Sequence, residues 1–138
     1  MKILVDTCAW WLLLRRKSKA ALNDDEQLML ASLAEAVQDG RVAIIGPIRQ
    51  EVLSGIKERA QFEKLRRALE PFPDEALTTS HYEEAALLFN LCRRSGVECG
   101  GTDVLICAVA ARKNWAILTS DGGLKQCIEV TRAEGLMV

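Results

Sequence analysis

The sequence holds a single histidine, His81, and no C-x-x-C pair, so the usual partners of a zinc site are missing. It has no G-x-S-x-G element and no phosphate-cradling P-loop, which leaves hydrolase triads and nucleotide switches without support. No apolar run is long enough to span a bilayer. Lys2 leads directly into Ile3-Leu4-Val5-Asp6, and neither the leading charges nor the small-residue cleavage site of a signal peptide is clear. The expectation is a cytoplasmic protein with no membrane partner. Positive charge is not in surplus either. Eighteen basic side chains against 19 acidic ones leave a formal net charge of −1, so the bulk basic surface of a non-specific duplex binder is absent. Any nucleic-acid contact must come from a local patch.

What is present suits one domain spanning residues 1–138, with 49% hydrophobic residues to build a core. The five cysteines, Cys8, Cys92, Cys99, Cys107 and Cys127, are odd in number and scattered. Cys8 and Cys107 lie in apolar runs, where a thiol behaves as a small hydrophobe. Reduced, buried thiols are the reading this pattern favours.

Short apolar runs alternate with amphipathic helical patterns. Ile3-Leu4-Val5, Val42-Ala43-Ile44-Ile45 and Trp115-Ala116-Ile117-Leu118 have the continuous hydrophobicity of strands buried on both faces. Asn23 with Glu26 forms a capping-box start, Leu28, Ala31, Ala34 and Val37 keep helical spacing, and Gly40 supplies the stop. Pro47 suits the first turn of a helix carrying Arg49 to Gly55. Phe62, Leu65 and Leu69 mark a helix ended by Pro71. Ser80 with Glu83 reads as the cap of another, with Tyr82, Ala85, Ala86, Phe89 and Cys92 on one face and Gly96 at its end. Val104 to Ala111 is apolar all round, as in a buried helix. Such alternation predicts a three-layer α/β domain, a parallel central sheet with helices on both faces.

Four acids stand where these elements begin or end. Asp6 follows the first strand, and Asp121 follows the last after Thr119 and Ser120. Asp103 opens the apolar helix, and Glu51 lies in the helix after the second strand. Ligands of open parallel sheets bind beyond the carboxyl ends of the strands, so the topology allows all four to converge. Clustered carboxylates stay ionised only with a compensating cation, and hard oxygen donors suit Mg²⁺ or Mn²⁺. Such an ion activates water for attack on phosphorus without a His, Lys or Ser nucleophile. Each acid also has a purely structural reading. Asp6 fits an Asx turn, Thr102 or Asp103 an N-cap, Asp121 a turn or helix start, and Glu51 a solvated helix face. Spacing alone leaves both sets open.

Ile3-Leu4-Val5-Asp6-Thr7 resembles the opening of PIN domains, where a strand delivers the first metal-binding Asp. Ile48-Arg49-Gln50-Glu51-Val52-Leu53, Gly101-Thr102-Asp103-Val104-Leu105-Ile106-Cys107-Ala108 and Ile117-Leu118-Thr119-Ser120-Asp121 resemble the second, third and fourth motifs of that family, in order. Size and motif style look most like the VapC-type toxins of toxin–antitoxin modules. The resemblance implies a Mg²⁺- or Mn²⁺-dependent endoribonuclease acting on tRNA, rRNA or mRNA, leaving a 5′-phosphate and a 3′-hydroxyl. It also implies a homodimer and a cognate antitoxin that enters the acidic groove. By the same resemblance, Asp6, Glu51, Asp103 and Asp121 are the catalytic, metal-binding acids, supported by hydrogen bonds from Thr7 or Thr119. One departure stands out: Gly122-Gly123-Leu124 replaces the Asp and Phe that commonly follow the fourth acid. It keeps two alternatives in view, a PIN-like RNA- or protein-binding module without catalysis, and an RNA-processing nuclease without an antitoxin.

The densest basic run is Arg15, Arg16, Lys17 and Lys19. It suits either a grip on RNA phosphates or a solvated helix end that favours the dipole, and Arg93 and Arg94 invite the same two readings. Arg49 fits substrate, antitoxin or plain surface. Trp10 and Trp11 are expected in the core, Leu12, Leu13 and Leu14 offer surplus apolar surface for an interface, and His81 reads as an exposed helix-start residue.

Overall fold

The computed structural model describes residues 1–15 and 21–137, with nothing to say of the Arg15 side chain. Arg16, Lys17 and Lys19 of the basic run thus lie outside the described residues. Three short strands, β1 (Ile3–Val5), β2 (Val42–Ala43) and β3 (Ala116–Leu118), form a parallel sheet in the order β2-β1-β3. β1 is central, and Leu4 and Val5 are fully buried, as expected for aliphatic residues covered by helices on both faces. Ile3 lies opposite Val42 on one side and Ala116 on the other, and Val5 opposite Leu118. An isolated bridge between Ile44 and Asp74 extends the sheet beyond β2. β3 departs from the sequence expectation. As an edge strand it leaves Ala116 exposed and Ile117 and Leu118 half-buried.

Among the described residues, seven helices surround the strands: α1 (Thr7–Arg15), α2 (Asp24–Gln38), α3 (Gly46–Leu53), α4 (Arg59–Leu69), α5 (Thr79–Arg94), α6 (Gly101–Lys113) and α7 (Gly122–Ala133). Their ends follow local chemistry. Asn23 and Glu26 satisfy each other's backbone N–H groups at 2.8 and 3.1 Å, the capping box read from the sequence. Gly40 takes φ +66°, a conformation that L side chains rarely adopt, and so ends α2. Pro47 sits in the first turn of α3. Val104, Ile106, Cys107, Ala108, Val109 and Ala110 are all buried, which makes α6 the inner helix of the domain.

In α2 and α5 the buried face differs from the sequence reading, whereas α4 buries Leu65 and Leu69 as read. In α2 the buried side chains are Met29, Leu30, Leu33 and Ala36, while Leu28, Ala31, Ala34 and Val37 face solvent. Alanine and leucine occupy both faces, so spacing alone did not discriminate. In α5 the core takes Ala85, Leu88 and Cys92, leaving Tyr82, Ala86 and Phe89 exposed. That helix is capped by Thr78, not Ser80, and the Thr78 N–H donates to His81 Nδ1 at 3.0 Å. His81 is consequently buried, contrary to the expected exposed position.

Trp10 is wholly buried, with its ring 5.1 Å from that of Phe72. Trp11, also expected inside, is exposed, and its indole N–H donates to the Val52 carbonyl at 3.3 Å. Leu12, Leu13 and Leu14 are half-buried against the core. Cys99 and Cys127 form a disulfide with Cα atoms 6.4 Å apart, where unpaired thiols were expected. Cysteines 28 residues apart in sequence meet only through tertiary packing.

The two faces of α2 give a direct test. Leu33→Ala should cost about 2–5 kcal/mol by urea unfolding, as for a buried leucine. Leu28→Ala should change stability by no more than about 0.5 kcal/mol. Equal costs would contradict the orientation described.

Candidate functional site

Each aspartate of the candidate set is placed by the start of a helix. Asp6 ends β1 and begins α1. Its carbonyl accepts from Ala9 and Trp10 N–H, and its own N–H donates to Leu118 O at 3.0 Å, prolonging the β1–β3 ladder by one residue. That extra rung brings Thr119 beside Asp6, and the Thr119 hydroxyl donates to Asp6 Oδ2 at 2.8 Å. Asp6 Oδ1 accepts the Thr7 N–H at 2.8 Å. The same Thr119 oxygen accepts the Asp121 N–H at 3.0 Å, so one hydroxyl ties the first acid to the fourth.

Asp121 is the N-cap of α7, and its Oδ2 accepts the Leu124 N–H at 2.8 Å. A Cβ on Gly123 would stand 3.2 Å from that oxygen, so glycine leaves the room this carboxylate uses. The Gly122-Gly123-Leu124 departure is therefore compatible with an Asp121 held in place. Asp103 lies in the first turn of α6, and its Oδ2 accepts the Gly100 N–H at 3.2 Å. The structural readings of these three aspartates are thus real, and they do not compete with the functional ones. A carboxylate that caps a helix still has lone pairs to offer.

Glu51, on α3, is exposed at the rim, and its electrostatics show what it faces. Burial, followed by the charges of Asp6 and Asp103 and more weakly of Asp121, raises its pKa, while the Thr7 side chain opposes the rise. Asp103 is raised as well, chiefly by burial and then by Asp121 and Asp6, against the lowering hydrogen bond from Gly100. Four acids far apart in sequence therefore share one field, with Asp6 the most buried of them. They do not crowd: among the described residues, no three carboxylate oxygens lie within 4.8 Å of one another.

These residues fit a hard divalent cation. The donors are oxygens, and burial together with the charges of the neighbouring acids raises the proton affinity of two of them. Wide spacing suits Mg²⁺ or Mn²⁺, which bind through one or two carboxylates and keep several waters.

Cys8 was read from sequence as a small hydrophobe, yet its sulfur lies in this pocket. It is 3.6 Å from Asp6 Oδ2 and 3.5 Å from Thr119 Oγ1, and it accepts the Ser120 N–H at 3.4 Å. Its place two residues after Asp6, in the first turn of α1, was the available signal. Arg49 is no ligand-facing cation. It bonds Asp74 at 2.9 Å and the carbonyls of Leu69 and Phe72, anchoring α3 to the end of α4.

The raised carboxylates have a consequence for stability. In the window above the ordinary carboxylate value of about pH 4, the folded chain holds more protons at Asp103 and Glu51 than the unfolded chain. Stability from these groups therefore falls as pH rises. Without divalent cations, Asp103→Asn should gain stability relative to wild type as pH increases through that window, read from thermal unfolding. A difference between the two that does not change with pH would refute the shared field.

The PIN domain family matches residues 3–128. Among solved structures, the chain is similar to that described as "Crystal Structure of FitAcB from Neisseria gonorrhoeae", with a TM-score of 0.70 and 20% identity over 92% of this chain and 93% of that one. At this identity the likeness speaks for the fold. A search of curated proteins finds no match. Extending from β1 through most of α7, the family match takes in all four acids, and the chain belongs to the PIN-domain family.

Proposed function

We propose that this chain is a Mg²⁺- or Mn²⁺-dependent endoribonuclease, the toxin of a toxin–antitoxin pair, acting in the cytoplasm on tRNA, rRNA or mRNA. The observation that carries this reading is the shared field of Asp6, Glu51, Asp103 and Asp121 at the carboxyl end of a parallel sheet. PIN domains are generally nucleases and typically use divalent metal ions. When bound, such an ion activates water for attack on the phosphodiester and neutralises the charge that develops on the leaving oxygen.

The chain's own residues supply the rest. Asp6 and Asp103 are the principal ligands, because each is held by backbone N–H groups and faces the other acids. Thr119 orients Asp6 and locks Asp121 to it. Asp121 and Glu51 complete the acidic ring, and the Thr7 side chain supports Glu51 by hydrogen bonding. An anionic substrate needs positive charge nearby, and we assign that part to Arg15, Arg16 and Lys17. These residues belong to the densest basic run of the chain, which begins at the last residue of α1 in sequence.

The antitoxin and the homodimer follow from the resemblance to VapC-type toxins. Apolar surface supports such association, since Leu28 and Val37 on α2 and Tyr82, Leu87 and Phe89 on α5 are exposed.

The test is RNA cleavage under a divalent-cation titration, with analysis of the product ends. Wild type should cut only with Mg²⁺ or Mn²⁺ present and leave a 5′-phosphate and a 3′-hydroxyl. Asp6→Asn and Asp103→Asn should abolish cleavage while remaining folded by circular dichroism. Thr119→Val should lose about 10–100-fold, as expected of a residue that orients a ligand. Cleavage that survives chelation, or that persists in both Asn variants, refutes the metal-dependent mechanism.

A further inference from the structure

Three sulfurs meet in the core where α5, the loop before α6 and α7 come together. Cys92 near the end of α5, Cys99 in the loop before α6 and Cys127 in α7 are all buried, and their Sγ atoms lie within 4.8 Å of one another. Cys99 and Cys127 are joined as a disulfide, and Cys92 is a free thiol beside them. A disulfide accounts for two sulfurs and leaves the third unexplained. We propose that in the reduced chain Cys92, Cys99 and Cys127 form a buried three-sulfur site for one thiophilic metal ion, separate from the carboxylate pocket.

The reduced state follows from chemistry the cell supplies. A dithiol reductant donates two electrons and two protons to the Cys99–Cys127 bond and itself becomes a disulfide, leaving three thiols side by side. Ion binding then releases thiol protons to solvent. Metal–sulfur bonds of about 2.3 Å place three ligands about 4 Å apart, so the Cys99 and Cys127 sulfurs must part on reduction, while Cys92 already lies within 4.8 Å of both. Thiolates select soft ions such as Cu(I) or Zn(II). Structural zinc is almost always four-coordinate, and among the described residues no fourth ligand joins this group. His81 is eleven residues back along α5, about 16 Å away, and Cys107, although near Cys92, lies outside the group. The donor set therefore fits three-coordinate Cu(I) better. Cys99 also sits just before the N-terminus of α6, whose positive end offsets part of the thiolate charge.

The competing use of a third thiol is exchange with the neighbouring disulfide, a bond that the reduced chain no longer offers.

This inference does not depend on the chain cutting RNA. The full chain, reduced with a phosphine, is titrated with Cu(I) against a chromophoric Cu(I) chelator, and stoichiometry is read by native mass spectrometry. One equivalent should bind, with thiolate-to-copper absorption in the near ultraviolet. The oxidised protein should bind none. Cys92→Ala keeps the disulfide-forming pair, so its fold is verified in the oxidised state, and it should lose Cu(I) binding after reduction. Cys8→Ala should retain it. Failure of wild type to bind, or binding preserved in Cys92→Ala, overturns the site. Displacement of Cu(I) by equimolar Zn(II) overturns the three-coordinate assignment.

Discussion

Negative charge gathered at one end of a small parallel sheet is the constraint around which this molecule is arranged. Asp6, Asp103 and Asp121 each occupy the first turn or the cap of a helix, so the positive ends of α1, α6 and α7 converge on the same pocket. Backbone N–H groups of Thr7, Gly100 and Leu124 donate directly to these carboxylates. Those partial charges make the cluster tolerable without cancelling it: burial first, and then the neighbouring acids, still raise the proton affinity of Asp103 and Glu51 above that of free carboxylates.

The surrounding fold serves this pocket through register and burial. Val5 lies opposite Leu118, and one further rung sets Asp6 beside Thr119. A slip of one residue between β1 and β3 would turn Asp6 to the other face and break the Thr119 bridge. α6 is buried almost all round, so Asp103 at its start is positioned by the core itself. Gly123 leaves room for the Asp121 carboxylate, which makes the glycine pair after the fourth acid a packing solution.

The structural roles of these acids leave room for the functional ones proposed for them. Asp121 caps α7 through one oxygen, and Asp6 receives donors on both of its oxygens. A side chain fixed by such bonds holds its remaining lone pairs in a set direction, which is what a metal ligand requires. The sequence reading left the two roles as alternatives because a motif shows residue types and spacing, whereas the number of lone pairs already in use is a matter of contacts.

Much of this was legible in one dimension. The apolar runs of β1 and β2, the Asn23–Glu26 capping box, the Gly40 stop, the buried character of α6 and the four acids at element ends all depend on neighbours within a few residues. Local stereochemistry and side-chain type decide such features, and the sequence states both. The buried faces of α2 and α5, the inward turn of His81 behind Thr78, the outward position of Trp11, the pocket placement of Cys8 and the meeting of Cys92, Cys99 and Cys127 were decided only by the tertiary structure. These depend on which surfaces pack together across long stretches of chain. A helix with alanine and leucine on both sides has no preferred face until the rest of the core supplies one.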